Sequence, residues 1–540
     1  MSPAKALLAA VLAVFPVEPF AQAAKLPSLA ELEKAGAVIG EIRIRPQNIF
    51  DLEDPRENNR LFRFANLLHI TTREEPIRRS LLFKRGEWLS VRRIDETERL
   101  LRRQNYLYDV EIRPVAYEDG VVDLEVVTRD TWSLKPEINI GRSGGFTSSS
   151  FAIEENNLLG SGISTSIARV SEVDRTGTRF NIANKHAFGP WTGIDYSFSD
   201  LTTGETQSFS LSQPFYAFDV RAAAGVSVAK SDHIAPVYRA GAVVGEYRES
   251  SSSLEAFGGW STGLVESWTQ RLSAGLSHQD NDYSLDPARR APEALPENVI
   301  LTGPFVRYEL LEYDLHRLQN FDLIERPEFF DLGLHATVQL GRAMQGLGST
   351  RDATTYSLGV SDGMHHGGDH ILLASASVSG RRDGAAHRQR LNASARYYRR
   401  QASDALFFAS VSGSVSKSPD ISDVLQLGGD NGLRGYPLRY QTGDQRVLLT
   451  LEQRVYTDWY PFRLFRVGGA IFLDTGRAWG GKFGQGAANP GWLSDAGLGL
   501  RILSTRSSFG NVIHIDLAFP VQTGPGIDPV QLLFQTRASF

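Results

Sequence analysis

The stretch GLRGY, residues 432–436, stands just before five segments that alternate like β-strands and run to the C-terminal residue. In the last segment two sets of side chains alternate: the apolar Val530, Leu532, Phe534, Ala538 and Phe540, and the polar Gln531, Gln535, Arg537 and Ser539. A strand with this period of two has one apolar and one polar face. Because the polar faces of these segments carry acids, a loop arginine beside them indicates a plugged membrane barrel rather than a soluble fold.

Composition agrees with a membrane barrel. The chain has 540 residues and a mean hydropathy of −0.23, and beyond the N-terminus no apolar run reaches the ~18 residues of a transmembrane helix. Only helices and closed barrels satisfy every backbone group in lipid, so we predict an all-β transmembrane barrel of antiparallel strands. The net charge of −5 disfavours a nucleic-acid partner. The absence of cysteine excludes disulfides, thiolate metal sites and a cysteine nucleophile.

The N-terminus has the pattern of a secretory signal. Lys5 precedes the apolar run 6–15, and Ala21-Gln22-Ala23 provides small residues at a cleavage site. Pro16 and Pro19 interrupt the segment, which is too short to span a membrane. We predict a signal peptide at residues 1–23 and a mature N-terminal tail or short helix at 24–37. A buried N-terminal helix is the alternative.

Charge density divides the remaining chain in two. Charged residues make up roughly 38% of residues 38–130 and roughly 19% of residues 131–540. The first part is predicted to be a small α+β domain with strands at 41–45, 107–115 and 121–128 and helices at 60–68 and 94–101. The first helix places four apolar residues at helical spacing: Leu61, Phe64, Leu67 and Leu68. The second part, 131–540, is the predicted barrel, and residues 279–298, rich in Asp, Pro and Arg, are predicted to form its longest loop.

The order strand, helix, helix, strand, strand before a barrel resembles a POTRA domain, the periplasmic repeat of the BamA/TamA outer-membrane assembly and secretion superfamily. LLRRQNYLYDV at 100–110 is similar to its helix-to-strand corner, and NNLLGSG at 156–162 and QPFY at 213–216 are similar to turns of its barrels. LRGY at 433–436 resembles the Val-Arg-Gly-Phe/Tyr motif of the long inward-folded loop. FLDTG at 472–476 is similar to the Phe-x-Asp-x-Gly strand motif.

Residue facing assigns two acids and an aromatic ring to the inner face of the predicted barrel. Alternation in residues 447–456 directs Glu452 toward the lumen, and alternation in residues 467–476 directs Phe472 and Asp474 the same way. The resemblance implies that Arg434 pairs with Asp474 and Glu452 and lies over Phe472. An ordinary turn arginine is the alternative. We call the predicted set the barrel-loop lock: Arg434, Gly435, Tyr436, Glu452, Phe472, Asp474 and Gly476.

The strand number is left open by the sequence. The resemblance implies sixteen strands, five of them after the loop. Upstream of the loop, however, about sixteen candidate segments occur where the resemblance implies eleven, so a barrel of ~20 strands also fits the length.

The resemblance implies insertion or export of polypeptides at the bacterial outer membrane, with the POTRA-like domain in the periplasm. Expected partners are outer-membrane lipid, unfolded client polypeptides or a secreted partner protein, and the outer-membrane assembly machinery, for which a terminal Phe540 is the recognition mark. No cofactor, metal or enzymatic activity is predicted. His365, His366 and His370 near Asp369 are interpreted as solvated turn residues. A passive or substrate-specific pore is the alternative function, and a role in lipid distribution is also open.

Overall fold

The computed structural model describes residues 26–537 except 56, 325–326, 385, 462–464, 482–490, 505–511 and 525. No helix in these described ranges is long and apolar enough to cross a membrane. The predicted signal peptide and Phe540 lie outside the described residues.

An α+β domain precedes the barrel. It contains four helices and three strands, in the order α1 Leu29–Lys34, β1 Val38–Gln47, α2 Arg60–Leu68, α3 Glu74–Ser80, α4 Val91–Arg102, β2 Leu107–Glu118 and β3 Val121–Asp130. The central strand β3 pairs in parallel with β1 and antiparallel with β2. Its core is apolar and includes Leu32, Ile39, Ile77, Leu101 and Leu124. The helix predicted at 60–68 has those bounds, the short helix α1 lies within the segment predicted as a tail or short helix, and α3 was not predicted.

Twenty antiparallel strands close into one barrel. Fifteen precede the GLRGY stretch: β4 Leu134–Ser143, β5 Phe146–Glu155, β6 Ile163–Ser171, β7 Thr176–Asn184, β8 Gly193–Leu201, β9 Gly204–Gln213, β10 Ala222–Arg239, β11 Ala242–Val265, β12 Trp268–Ser284, β13 Val299–Glu312, β16 His335–Ala343, β17 Ala353–His366, β18 His370–Asp383, β19 Ala386–Ala402 and β20 Ala405–Lys417. Five follow it: β23 Gln445–Tyr456, β24 Phe465–Trp479, β25 Leu493–Ser504, β26 Val512–Pro520 and β27 Gln531–Arg537. The five closing strands agree with the prediction, whereas the sixteen implied by the resemblance is corrected to twenty.

The barrel wall has the two faces that the alternation predicted. Outward positions expose large apolar side chains, such as Ile138 on β4 and Ile471 on β24. Inward positions on the closing strands bury charged groups, among them Glu452 and Asp474. An apolar exterior with a polar interior is the arrangement that lipid on one side and an enclosed lumen on the other require.

Two short two-stranded sheets stand apart from the wall. One is a hairpin of β14 Leu315–Gln319 and β15 Pro327–Asp331, between β13 and β16. The other joins β21 Leu425–Leu427 and β22 Gln441–Gly443 within the loop that carries GLRGY. We call residues 313–334 the hairpin and residues 418–444 the GLRGY loop.

The α+β domain is held against one rim of the barrel by hydrogen bonds to three barrel turns. The Asn157 amide donates to Thr72 Oγ1 at 2.7 Å, and Ser80 Oγ lies 3.0 Å from His186 Nε2. Glu96 accepts from the backbone N–H of Phe218 at 3.2 Å. We call this rim proximal and the opposite one distal. The hairpin starts at the proximal rim, and the GLRGY loop starts at the distal rim.

Candidate functional site

The GLRGY loop folds from the distal rim into the barrel and buries its own apolar side chains. Leu433 and Tyr436 have no exposed surface and pack with Leu427, Tyr440 and Leu493. The Tyr436 hydroxyl donates to the backbone carbonyl of Ser494 at 2.7 Å. These contacts fix the loop against the closing strands and direct the intervening arginine at the wall.

The guanidinium of Arg434 is surrounded by carboxylates from three wall strands, β23, β24 and β26. Its Nε and Nη2 donate to the two Asp474 oxygens at 2.7 and 3.0 Å, and its Nη1 donates to Glu452 Oε1 at 2.9 Å. Asp516 Oδ2 on β26 lies 3.5 Å from Nη1. The guanidinium carbon stands 3.4 Å above the centroid of the Phe472 ring. Arginine fits this site because its planar, permanently charged guanidinium can bind a carboxylate through two hydrogen bonds while it lies over an aromatic ring. The ammonium group of lysine cannot make this bidentate contact.

Two glycines allow the loop and the wall to approach closely. A Cβ added at Gly435 would lie 2.7 Å from the Cβ of Asp495. A Cβ added at Gly476 would lie 2.8 Å from the backbone oxygen of Val447 on the neighbouring wall strand β23 and 3.1 Å from the Leu427 side chain of the loop. At both glycines a larger residue would push the loop or the wall away. The structure thus joins Arg434, Glu452, Phe472 and Asp474 of the predicted lock by direct contacts, and it places Gly435, Tyr436 and Gly476 where the loop meets the wall.

Glu452 connects the lock to a second arginine. Its Oε1 accepts from Arg434 and its Oε2 accepts from Arg454 Nε at 3.0 Å. Farther along the wall, Arg501 donates to Asp516. Asp516 and Arg501 are both buried on the inner side of the wall, but they were not among the residues predicted for the lock. Their participation depends on which strands lie side by side, a feature that period-two alternation does not report.

Arg454 also holds the hairpin, which enters the barrel from the proximal side. Arg454 Nη1 donates to the backbone oxygen of Phe321 at 3.1 Å and lies 3.5 Å from Asp322. The Phe321 ring, without exposed surface, packs against Phe330 and Tyr398 at centroid distances of 5.6 and 5.9 Å. The two segments that enter the lumen from opposite rims are therefore anchored to adjacent wall side chains, Glu452 and Arg454.

The barrel closes at a weak seam. Among the described residues, the first strand β4 and the last strand β27 are paired at one position, Arg142 with Phe534. On its other side, β4 pairs with β5 at ten positions, and β27 pairs with β26 at seven. Among the described residues of these two strands, no second position is matched across the junction.

The remaining candidate residues do not form a site. His366 ends β17 and His370 begins β18, where His370 Nδ1 lies 2.7 Å from the hydroxyl of Tyr397. Within the described part of the chain, no group of three or more histidine, aspartate or glutamate side chains is arranged to hold a metal ion.

The chain matches no protein-family model and no curated protein sequence. It is similar to the solved structure of BamA from Haemophilus ducreyi lacking POTRA domains 1–3, at 14% identity and a TM-score of 0.45, over 93% of this chain and 84% of that one. It is also similar to CdiB from Escherichia coli, at 14% identity, a TM-score of 0.48 and coverage of 93% and 76%. CdiB from Acinetobacter baumannii is similar at 13% identity and a TM-score of 0.44, over 93% of this chain and 73% of that one. At these identities and TM-scores the similarity supplies no residue role, activity or partner for this chain.

Proposed function

We propose that this protein inserts polypeptides into the bacterial outer membrane or exports them across it, with β4 and β27 forming the route of insertion. The observation that carries the proposal is the seam with one paired position. In lipid an unpaired strand edge is costly, because water is not available to satisfy its N–H and C=O groups. An incoming client strand satisfies those groups by adding to the open edge.

The contents of the lumen support a lateral route over an axial one. The GLRGY loop enters from the distal rim and the hairpin from the proximal rim, and both are bound to the Glu452–Arg454 pair. A chain moving along the axis would have to displace both segments and break buried charged contacts. A strand that opens the seam breaks few ladder bonds. A passive or substrate-specific pore, the alternative, would have to conduct past these two segments.

The α+β domain is proposed to be the POTRA-like receiver on the periplasmic side, spanning residues 38–130. Its sheet has the order β1-β3-β2, so β1 and β2 are both edge strands. One hydrogen-bonding group on the free edge of β2 already has a partner, because the Ile112 N–H donates to the Glu98 side chain at 2.7 Å. Extended client chains would therefore add to the unoccupied parts of these edges by β-augmentation.

A reversible seam lock tests the lateral route. The chain has no cysteine, so Arg142→Cys with Phe534→Cys places one disulfide across the paired position of the seam. The control pair, Ile138→Cys with Phe151→Cys, crosses the ordinary β4–β5 ladder. Proteoliposomes carrying each variant are offered a urea-unfolded eight-stranded outer-membrane barrel, and insertion is followed by heat-modifiable gel mobility.

We expect oxidation to stop insertion in the seam-locked protein, reductant to restore it, and the control pair to be insensitive to both. Unchanged insertion through a fully oxidised seam would contradict the lateral route. An export route through the lumen would instead be unaffected by the seam disulfide and would be blocked by a disulfide that fixes the GLRGY loop to the wall.

A further inference from the structure

Helix α2 has its apolar side turned outward. None of its nine residues is buried, and its largest apolar side chains are highly exposed: Leu61 69%, Phe64 56%, Leu67 79% and Leu68 57%. A helix of a soluble domain normally turns such a stripe toward the core. A contiguous apolar patch on the outside marks a surface that meets another apolar phase.

The orientation of α2 is fixed by specific contacts on its opposite side. The Phe62 ring stacks on Phe50 with 3.9 Å between centroids and 2° between planes. The Asn66 side chain accepts from the N–H of Phe50 at 3.1 Å and donates to its carbonyl at 2.8 Å, and the Asn48 amide donates to the Asn66 carbonyl at 3.1 Å. Rotating the apolar stripe inward would break all of these contacts, so the outward stripe is a specified feature of the fold.

The stripe lies next to the base of the lipid-facing barrel wall. At the end of α2, the His69 and Trp132 rings are 6.5 Å apart, and Trp132 stands two residues before the exposed Leu134 that begins β4. The segment after α2 is joined to the β5–β6 turn, because the Arg73 N–H donates to the Gly160 carbonyl at 2.9 Å. That turn exposes Leu159, and the connecting segment exposes Ile70. Exposed apolar side chains therefore follow one another from α2 through Ile70 and Leu159 to the start of the barrel wall at Leu134.

We propose that α2 lies in the phospholipid leaflet at the proximal rim, with Leu61, Phe64, Leu67 and Leu68 among the acyl chains. The continuity with the barrel's lipid-facing wall favours lipid over a protein partner. Charge also favours lipid: the helix carries Arg60 and Arg63 beside the stripe and no acidic residue, which suits anionic headgroups. An aromatic residue at the foot of a strand, here Trp132, is typical of membrane–water interfaces.

An apolar cavity beside the helix agrees with this occupant. It has a volume of about 280 Å³ and is lined by residues of α2, the loop before it, β2, the end of β3 and the segment that leads into the barrel, including Phe50, Leu61, Tyr108, Arg129 and Trp132. The cavity lies between α2 and the ends of β2 and β3. The proposal rests on the barrel crossing a membrane and is independent of whether the barrel inserts, exports or conducts.

Single-cysteine depth measurements on the full-length mature protein in proteoliposomes test the proposal. Leu67→Cys is labelled with an environment-sensitive nitrobenzoxadiazole dye, and phospholipids with doxyl groups on their acyl chains serve as quenchers. Ile138→Cys on the outer wall is the lipid-exposed control. Glu118→Cys, at the end of β2, is the water-exposed control, because the ten residues of β3 separate this end of the sheet from the start of the barrel. All three positions are exposed, so each variant is expected to fold.

We expect the label at Leu67 to emit at shorter wavelength than the label at Glu118, to be quenched by the doxyl lipids like the label at Ile138, and to be protected from aqueous iodide. Emission and iodide quenching equal to those at Glu118 would overturn the proposal. A blue shift that disappears when the protein is diluted in lipid would assign the stripe to a second copy instead. A shift that appears only after an unfolded barrel is added would assign it to client binding, and either result would also overturn the proposal.

Discussion

Replacing Arg434 tests whether the lock holds the GLRGY loop. Arg434→Ala leaves Asp474 and Glu452 buried without the guanidinium that now joins them, and removing one partner of a buried ion pair costs about 3–5 kcal/mol. At about 1.4 kcal/mol per factor of ten, the population of the undocked loop should rise by roughly two to nearly four orders of magnitude. Arg434→Lys keeps the charge but loses the bidentate fork, so an intermediate rise is expected.

Trypsin cleavage of the folded, detergent-solubilised protein reports that population. Arg439 remains in the loop of every variant as a cleavage site, and the rate of cleavage follows the fraction of open loop when reclosing is fast. The matched control is Arg248→Ala, since Arg248 also binds an aspartate, Asp232, through two bonds of 2.8 and 2.7 Å, but at the surface. It should leave cleavage at Arg439 unchanged. Equal cleavage rates in Arg434→Ala and wild type would refute the role of the lock.

Three further predictions concern the lumen. Replacing the hairpin, residues 313–334, with a short Gly-Ser linker should raise single-channel conductance in planar bilayers, because Phe321 and its neighbours then leave the lumen; unchanged conductance would show that the hairpin does not obstruct it. Burial raises the pKa of Glu328 to about 7 from 4.5, which favours the protonated acid in the docked hairpin. Docking should therefore weaken, and conductance rise, as the pH increases from about 4.5 to about 7, and both should level off above 7. Glu328→Gln should abolish that pH dependence, and a dependence that persists would exclude Glu328 as its source. Gly435→Ala should weaken loop docking by about 1–3 kcal/mol, seen as faster trypsin cleavage, whereas Gly359→Ala, where an added Cβ meets no atom within 4 Å, should not.

The sequence was most informative where one face of a strand is buried. Period-two alternation directs Glu452 and Asp474 inward, and the structure buries both side chains in the lumen. The bonds of these acids to Arg434 were implied by the resemblance, since alternation contains no information on which loop folds inward.

Features that depend on packing between distant segments could not be predicted. The entry of the hairpin into the lumen was not predicted, because alternation describes the two faces of a strand and does not show which sheet that strand joins. Residues 279–298 were predicted to be a loop, but β12 continues to Ser284, because a strand projecting beyond the membrane is free to be polar on both faces. The apolar spacing of α2 predicted an amphipathic helix correctly, yet helical periodicity does not specify which side meets the core.

The most direct test of polypeptide insertion or export is depletion of the protein in its native cell, followed by quantitative proteomics of the outer membrane and the medium. The proposed function predicts loss of other outer-membrane barrels or of one secreted protein. Expression of the wild-type chain should restore them, and the oxidised Arg142→Cys, Phe534→Cys variant should fail to restore outer-membrane barrels. An unchanged complement of both outer-membrane barrels and secreted proteins would contradict the account and favour a pore.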